Sequence, residues 1–311
     1  MTNTINTNAI DFIGDIHGHA SELEELLRKL HYRKTSGYHQ HPTRKAFFVG
    51  DFIDRGPQIR EVLEIVKPMV DNGAAYAVIG NHEYNAICYW TTGADGKPLR
   101  KHTEKNRVQH RKTIDAFGDV DAFRKYVEWF KTLPIYIEHE HFKSVHAQWN
   151  QEHINHLRKE GIVNFTNPEF LINSGTSGTA EYEMIECLLK GEELEVPGVP
   201  FMDKDGNERF SYRLKWWLRG ANLTCKESLF EFSQNGKDDT LPLFSAGYDE
   251  NEVPVFFGHY WLKDDKPYLQ QHNVCCLDFS VAKEGFLVAY SWDGERALRE
   301  EKFKYVRNET I

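Results

Sequence analysis

Ala9-Ile10-Asp11-Phe12-Ile13-Gly14-Asp15-Ile16-His17-Gly18 decides the reading of this chain. A short apolar run, broken only by Asp11, ends in a glycine-aspartate turn with a histidine two residues on. The construction returns twice. Ala46 to Val49 runs into Gly50-Asp51-Phe52-Ile53-Asp54-Arg55-Gly56, and Ala74 to Ile79 runs into Gly80-Asn81-His82-Glu83. After the first turn Leu23, Leu26, Leu27 and Leu30 recur at helical spacing, with Ser21 and Glu24 set as a capping box. After the second, Pro57 stands where a first helical turn begins, and Ile59, Val62, Leu63 and Val66 share a face. Strand, turn and helix in repetition predict a largely parallel sheet covered by helices. Ligands of such sheets gather beyond the carboxyl ends of the strands, where all three turns fall. They read as one site.

The residue types at these turns suit a metal cluster. Asp15 and His17, two apart in an extended turn, point the same way and can hold one ion between them. Oxygen with imidazole suits manganese, iron, zinc or nickel better than calcium. The two oxygens of Asp51 can bridge a pair of ions. Asn81 offers an amide oxygen that ligates without adding negative charge where an anionic substrate lands. Asp, Asn and Gly also favour ordinary turns, so the weight rests on the set rather than on any one motif.

The remainder of the chain bounds the function. Its 311 residues suffice for a large core, and 40% hydrophobic with 27% charged residues is the composition of a soluble globular protein. The formal charge of -9 gives no basic footprint for nucleic acid, although bound metals can reverse the sign of an acidic site locally. Five cysteines without a C-x-x-C pair argue against a disulfide framework or a cysteine-rich zinc site. Cys275 and Cys276 read as buried strand residues. Met1 to Asn8 lacks a basic segment followed by an apolar one, and no run approaches the ~18 apolar residues of a membrane span, so a cytoplasmic address is the default.

Downstream, a helix is expected over Glu104 to Phe117, then another with Phe123, Tyr126, Val127 and Phe130 on one stripe, stopped by Leu133-Pro134. Ile135 to Ile137 and Phe142 to Val145 read as a hairpin ending at His146. Val253 to Phe257, Val274 to Phe279 and Phe286 to Ser291 are expected strands of a second, C-terminal sheet. One domain over 1–311 is expected, with accessory insertions near 88–130 and 150–250. Asp203 to Asn207 superficially matches a calcium loop, but its glycine is misplaced and no glutamate stands at the twelfth position, so a hairpin turn is expected. Among the 15 histidines, His139 and His141 are expected in an exposed hairpin, and His39, His41, His102 and His110 in solvent.

The three turn motifs together resemble those of calcineurin-like metallophosphoesterases, nearest the branch of serine/threonine protein phosphatases and symmetrical diadenosine tetraphosphatases. Val145-His146-Ala147, Gly258-His259, Leu133-Pro134 and Cys276-Leu277-Asp278-Phe279 fit the same pattern. The resemblance implies a four-layer α/β/β/α sandwich of two mixed sheets flanked by helices. It implies two divalent metals, manganese first, with Asp15, His17 and bridging Asp51 at one ion and Asp51, Asn81, His146 and His259 at the other. Ions ~4 Å apart would bring a shared water's pKa toward neutrality for in-line attack on phosphorus. His82 would protonate the leaving oxygen, Asp54 would orient it, and Arg55 would grip the phosphoryl oxygens.

Phosphomonoester hydrolysis, including phosphoprotein, is the leading expectation; hydrolysis of a dinucleoside polyphosphate or other nucleotide is the rival. A silent metal- and phosphate-binding module is a third reading, against which the intact His82 and Asp54 argue. Val78-Ile79 stands where protein phosphatases usually have Leu-Arg before the third motif. A second phosphate-binding arginine is not marked by motif, leaving Arg213 and Arg219 as candidates. Tyr260, Trp261, Trp216 and Trp217 are candidate rings of a substrate wall, with ordinary core packing as the alternative.

Overall fold

The computed structural model describes residues 9–93, 95–196, 200–202, 208–230, 232, 243–245 and 247–308. The expected turn at Asp203 to Asn207 lies outside them. The chain divides into two compact units, 1–189 with 253–311, and 190–252.

In the larger unit, Ile10–Ile13 (β1) is buried along its whole length and leads to Ala20–Lys29 (α1), which buries Leu23, Leu26 and Leu27. Then come Lys45–Phe48 (β2), Ile59–Asp71 (α2), Ala75–Ala77 (β3), Asn81–Trp90 (α3), Glu104–Phe117 (α4) and Val120–Thr132 (α5). Tyr136–Glu138 (β4) and Lys143–Val145 (β5) form the expected hairpin. Gln151–Lys159 (α6), Pro168–Ser174 (α7) and Ala180–Lys190 (α8) follow. After the interruption the chain returns as Val255–Phe257 (β6), Val274–Cys276 (β7), Asp278–Phe279 (β8), Phe286–Trp292 (β9) and Phe303–Arg307 (β10). Ser21 does not cap α1. Its backbone N–H and hydroxyl both donate to Gln58 Oε1 at 3.0 Å, and His19 takes the cap position.

Two mixed sheets result. The first runs β8-β9-β1-β2-β3, with β10 on the edge of β9; β1, β2 and β3 are parallel and β9 is antiparallel to β1. The second runs β7-β6-β5-β4. They face one another through aromatic rings: Phe12 of β1 stacks on Phe256 of β6 at 3.7 Å and meets Phe142 edge-on at 5.1 Å. With α1 and α2 packed on the first sheet, the unit is the four-layer α/β/β/α sandwich.

The C-terminal strands do not form one sheet, as the apolar pattern suggested. Val274 to Phe279 breaks at Leu277: β7 joins β6 in the second sheet, and β8 joins β9 in the first. Leu277 N–H donates to Phe257 O at 2.7 Å, and a Cβ at Gly14 would fall 2.1 Å from the Leu277 carbonyl oxygen. Only glycine lets β1 end so close to this crossing.

Asp11, the polar break in β1, is fully buried on the opposite side of the strand from Phe12. It accepts from Arg44 Nε at 3.0 Å, Tyr32 Oη at 3.0 Å and Ser291 Oγ at 2.7 Å. Arg44 also donates to the Ile10 and Trp292 carbonyls, tying β1 to β9. Removing one partner of a buried ion pair costs about 3–5 kcal/mol, because the other charge is stranded. Arg44→Met should therefore lower unfolding free energy by about that amount in urea titration, and Asp11→Leu added to it should recover part. A single variant within about 1 kcal/mol of the parent would show that Arg44 does not hold Asp11.

Within 190–252, Val196, Tyr212, Cys225, Leu229 and Phe232 form a small core. Trp216 and Trp217 are buried, edge-to-face with each other at 5.8 Å, which is the packing alternative for both rings. Arg219 pairs with Asp249 at 2.9 Å, and Arg213 lies 4.0 Å from Glu193.

Candidate metal centre

Asp15, Asp51 and Asn81 follow β1, β2 and β3 directly, and His146 and His259 follow β5 and β6. One edge of the two facing sheets thus gathers all six expected ligands, His17 included. The loops are strained: His17, Asp51, Asp54, Arg55, His259 and Trp261 all have left-handed backbone, with φ between 45° and 74°. Such conformations in non-glycine residues cluster at functional sites and need support from their surroundings.

Glu83 supplies much of that support. Its buried carboxylate accepts the backbone N–H of Asp51 at 2.8 Å, Phe52 at 2.8 Å, Ile53 at 3.2 Å and Gly80 at 3.1 Å. Gly80 and Gly50 permit the approach, since a Cβ at Gly80 would fall 2.3 Å from Asp51 N. Burial, and Asp51 close by, push the Glu83 carboxyl up to about 7.

Electron pairs converge at the centre. His17 Nδ1 donates to Ile53 O at 3.1 Å, and His146 Nδ1 donates to Val49 O at 2.7 Å. Each ring therefore turns an Nε2 lone pair inward, the orientation that a carbonyl behind the ring commonly fixes in metal-binding histidines. His17 Nε2 faces Asp51 Oδ2 at 3.5 Å and His146 Nε2 faces Asp51 Oδ1 at 3.4 Å, so one carboxylate addresses both rings. Asn81 Oδ1 lies 3.0 Å from His146 Nε2 and 2.9 Å from His259 Nδ1. Asp15 Oδ2 accepts the His259 N–H at 2.9 Å, while Asp15 Oδ1 and His17 Nε2 are buried with no hydrogen-bond partner among the described residues. Acceptors aimed at acceptors are unfavourable unless a cation stands between them.

Burial and mutual charge perturb the titration of these groups strongly. Burial, then repulsion by Asp278 and Asp51, holds the Asp15 carboxyl well above its ordinary value. Burial pushes His17 down to about 3, keeping its lone pair available. Burial would also lower His146, but Asp51 draws it above the usual imidazole value. Burial opposes the charge on Asp51, yet the histidines His146, His82 and His17 hold that carboxyl well below the normal range. Among the described residues two groups meet the spacing of a cation site, His17 with Asp51 and His82, and Asp51 with His146 and His259, with the donor atoms of each group within 4.8 Å of one another. The donor set fits two divalent ions.

Beside this centre His82 Nδ1 lies 2.6 Å from Asp54 Oδ2. Burial pushes Asp54 up, but hydrogen bonds from His110 and His82 outweigh it and hold the carboxyl far below its ordinary value. The Arg55 guanidinium lies 4.2 Å over the Trp261 ring, and that ring lies 5.6 Å from His17. Trp261 is thus buried as a platform for Arg55.

A sequence model of calcineurin-like phosphoesterases matches residues 9–198. The chain belongs to that family. It is a hydrolase of phosphate esters, and family members normally bind two divalent metals. Among relatives, a symmetrical bis(5'-nucleosyl)-tetraphosphatase of Haemophilus influenzae is 22% identical over 308 residues, covering 94% of this chain and 97% of that protein. An asymmetrical bis(5'-nucleosyl)-tetraphosphatase of Oceanobacillus iheyensis is 34% identical over 139 residues, 44% of this chain; the match spans 53% of that relative's length. A protein serine/threonine phosphatase of Saccharomyces cerevisiae shares the fold at a TM-score of 0.52 and 14% identity, over 100% of this chain and 82% of the other.

Two residues of this phosphoesterase escaped the sequence reading. His110, expected in solvent, is buried with Nδ1 3.0 Å from Asp54 Oδ1, and Thr113 also donates to that oxygen. The one signal was spacing: His110, Thr113 and Phe117 share the buried face of α4. The other histidines conform more closely, with His102 and His141 exposed, His39 and His41 part-buried, and His139 part-buried against Phe142.

Glu83→Gln should test the support of the loops. The amide keeps the size but has one acceptor oxygen for four N–H groups. Each buried donor left unsatisfied costs about 1–3 kcal/mol. Thermal unfolding of the chelated protein should fall accordingly, by more than ~2 kcal/mol; an unchanged melting curve would show that Glu83 does not hold the loops.

Proposed function

We propose that this phosphoesterase hydrolyses dinucleoside polyphosphates, splitting a bis(5'-nucleosyl) tetraphosphate into two nucleoside diphosphates. The observation that carries this is the near end-to-end match to a symmetrical tetraphosphatase, whereas the asymmetrical relative matches over less than half of the chain. It moves the weight away from phosphoprotein toward the nucleotide. A local charge reversal supports the same choice. In a chain of formal charge -9, residues 97–112 carry seven lysines and arginines against one glutamate. Lys112 of this stretch donates to the Arg55 carbonyl at 2.6 Å, so its cations border the phosphate side of the site. A tetraphosphate has more charge to place there than a monoester.

In this reading Asp15, His17, Asp51, Asn81, His146 and His259 hold two divalent ions, manganese being the ion we propose. Such ions supply Lewis acidity toward phosphoryl oxygens and a nucleophile at neutral pH. Arg55, fixed on Trp261, offers its guanidinium to the non-bridging oxygens. His82, with Nδ1 committed to Asp54, presents Nε2 to the leaving oxygen, which takes the proton as the P–O bond breaks. We read 190–252 as an accessory insertion into a single phosphoesterase domain. The buried cysteines and a small nucleotide substrate suit a cytoplasmic setting; no helix among the described residues is long and apolar enough to cross a membrane.

Incubation of manganese-loaded protein with diadenosine tetraphosphate, followed by ion-exchange chromatography, should yield two equivalents of ADP. ATP with AMP would reverse the cleavage symmetry, and turnover of phosphopeptide alone would reject the nucleotide reading. His82→Asn should lower kcat on this substrate by roughly 10²–10⁴ with metal content preserved, because general acid catalysis is worth that much. Asp51→Asn should lose metal as well, by elemental analysis. Loss of both ions from His82→Asn would mean that His82 is a ligand.

A further inference from the structure

Asp54 has more partners than one histidine requires. Its Oδ2 takes the His82 Nδ1–H at 2.6 Å. Its Oδ1 takes two further donors from α4, His110 Nδ1 at 3.0 Å and the Thr113 hydroxyl, while Thr113 Oγ1 in turn accepts the Asp54 N–H at 3.1 Å. The other His110 nitrogen, Nε2, receives Trp90 Nε1–H at 3.3 Å. An indole N–H can only donate, so Nε2 keeps its lone pair and the proton of His110 sits on Nδ1, facing Asp54. Tyr89 and Phe123 enclose the same ring at 5.3 and 5.6 Å. His82 and Trp90 both belong to α3, and His110 of α4 closes the circuit between them.

The arrangement decides which oxygen His82 can use. With Oδ1 occupied by two donors, the remaining oxygen of Asp54 is left for His82, and its position follows from that of the carboxylate. Asp54 itself has left-handed backbone, φ 66°, so its loop alone is a poor anchor. We propose that His110 is a positioning residue that acts through Asp54 to fix the orientation and tautomer of His82. No proton leaves His110; its contribution is geometric. The inference rests on His82 being the proton donor to the leaving group.

The test compares two substrates that differ in their need for that proton. Phenyl phosphate must release a phenolate about as basic as that of tyrosine, which needs a proton at neutral pH, whereas p-nitrophenyl phosphate releases a stable p-nitrophenolate. His110→Ala should lower kcat on phenyl phosphate about 10- to 100-fold with KM within about twofold, and change p-nitrophenyl phosphate turnover by less than about threefold. This is a part of the ~10²–10⁴ carried by the acid itself. His110→Asn keeps an N–H donor near the Nδ1 position and should restore most of the loss, although like alanine it removes the acceptor of Trp90 Nε1–H. Combined with His82→Asn, His110→Ala should cost nothing further, because both act on one step.

Equal losses on both substrates, no rescue by asparagine, or additive losses in the double variant would each overturn the role of His110. Should His82→Asn itself fail to distinguish the two substrates, the acid assignment falls, and with it this inference. Selective loss in His82→Asn without selective loss in His110→Ala would reject His110 alone.

Discussion

Four backbone N–H groups from two separate loops end on the carboxylate of Glu83. Three of them, from Asp51, Phe52 and Ile53, are consecutive, which requires the chain to curl around the acceptor with Asp51 in a left-handed conformation. The curl fixes the direction of the Asp51 side chain, so that its two oxygens address His17 on one side and His146 on the other. The fourth N–H, from Gly80, sets the start of α3 and hence the places of Asn81 and His82. One buried carboxylate thereby coordinates the geometry of residues drawn from the second and third turns. Its cost is visible in its own upward shift, since burial and Asp51 both resist the charge it uses to hold the loops.

The remaining donors depend on how the two sheets face each other. Asp15 and Asn81 come from the first sheet and its loops, His146 and His259 from the second. The distance between the two sets is fixed by rings such as Phe12 and Phe256, whose stacking excludes water between the layers. A centre built across two layers is rigid because each layer is hydrogen-bonded within itself and packed against the other. It also assembles only when both are formed.

The strand-end turns were legible because their chemistry is local: glycine, aspartate, asparagine and histidine crowd three short stretches directly after apolar runs. The bounds of α4 were legible too, although the helix is mostly polar. Its inner face was not, because that face is made of His110 and Thr113, whose burial is repaid by Asp54 rather than by apolar contact. Hydropathy carries no mark of such a partner 59 residues upstream. The division of the C-terminal strands was hidden for a different reason. Val274 to Phe279 is apolar nearly throughout, and nothing in its composition tells Cys276 to pair in one sheet and Asp278 in the other. The crossing at Leu277 is set by Gly14, far away in sequence. Ser21 shows the same limit, since Gln58 from a later loop takes the hydrogen bonds that local spacing assigned to a cap.

The antiparallel pairing of β1 with β9 joins segments about as distant as this chain allows; Ser291 and Asp11, hydrogen-bonded to one another, are 280 residues apart. At a synthesis rate of ~5–20 residues per second, β1 leaves the ribosome on the order of 15–55 s before the strand that covers it. During that interval β1 lacks its antiparallel neighbour on one edge, while β2 already covers the other and Arg44 and Tyr32 are already available to Asp11. The first turn, with Asp15 and His17, therefore exists long before His259 arrives to complete the cluster. The six-residue cluster is complete only at the end of synthesis, and the nascent chain depends in the meantime on whatever keeps exposed strands from pairing with their neighbours.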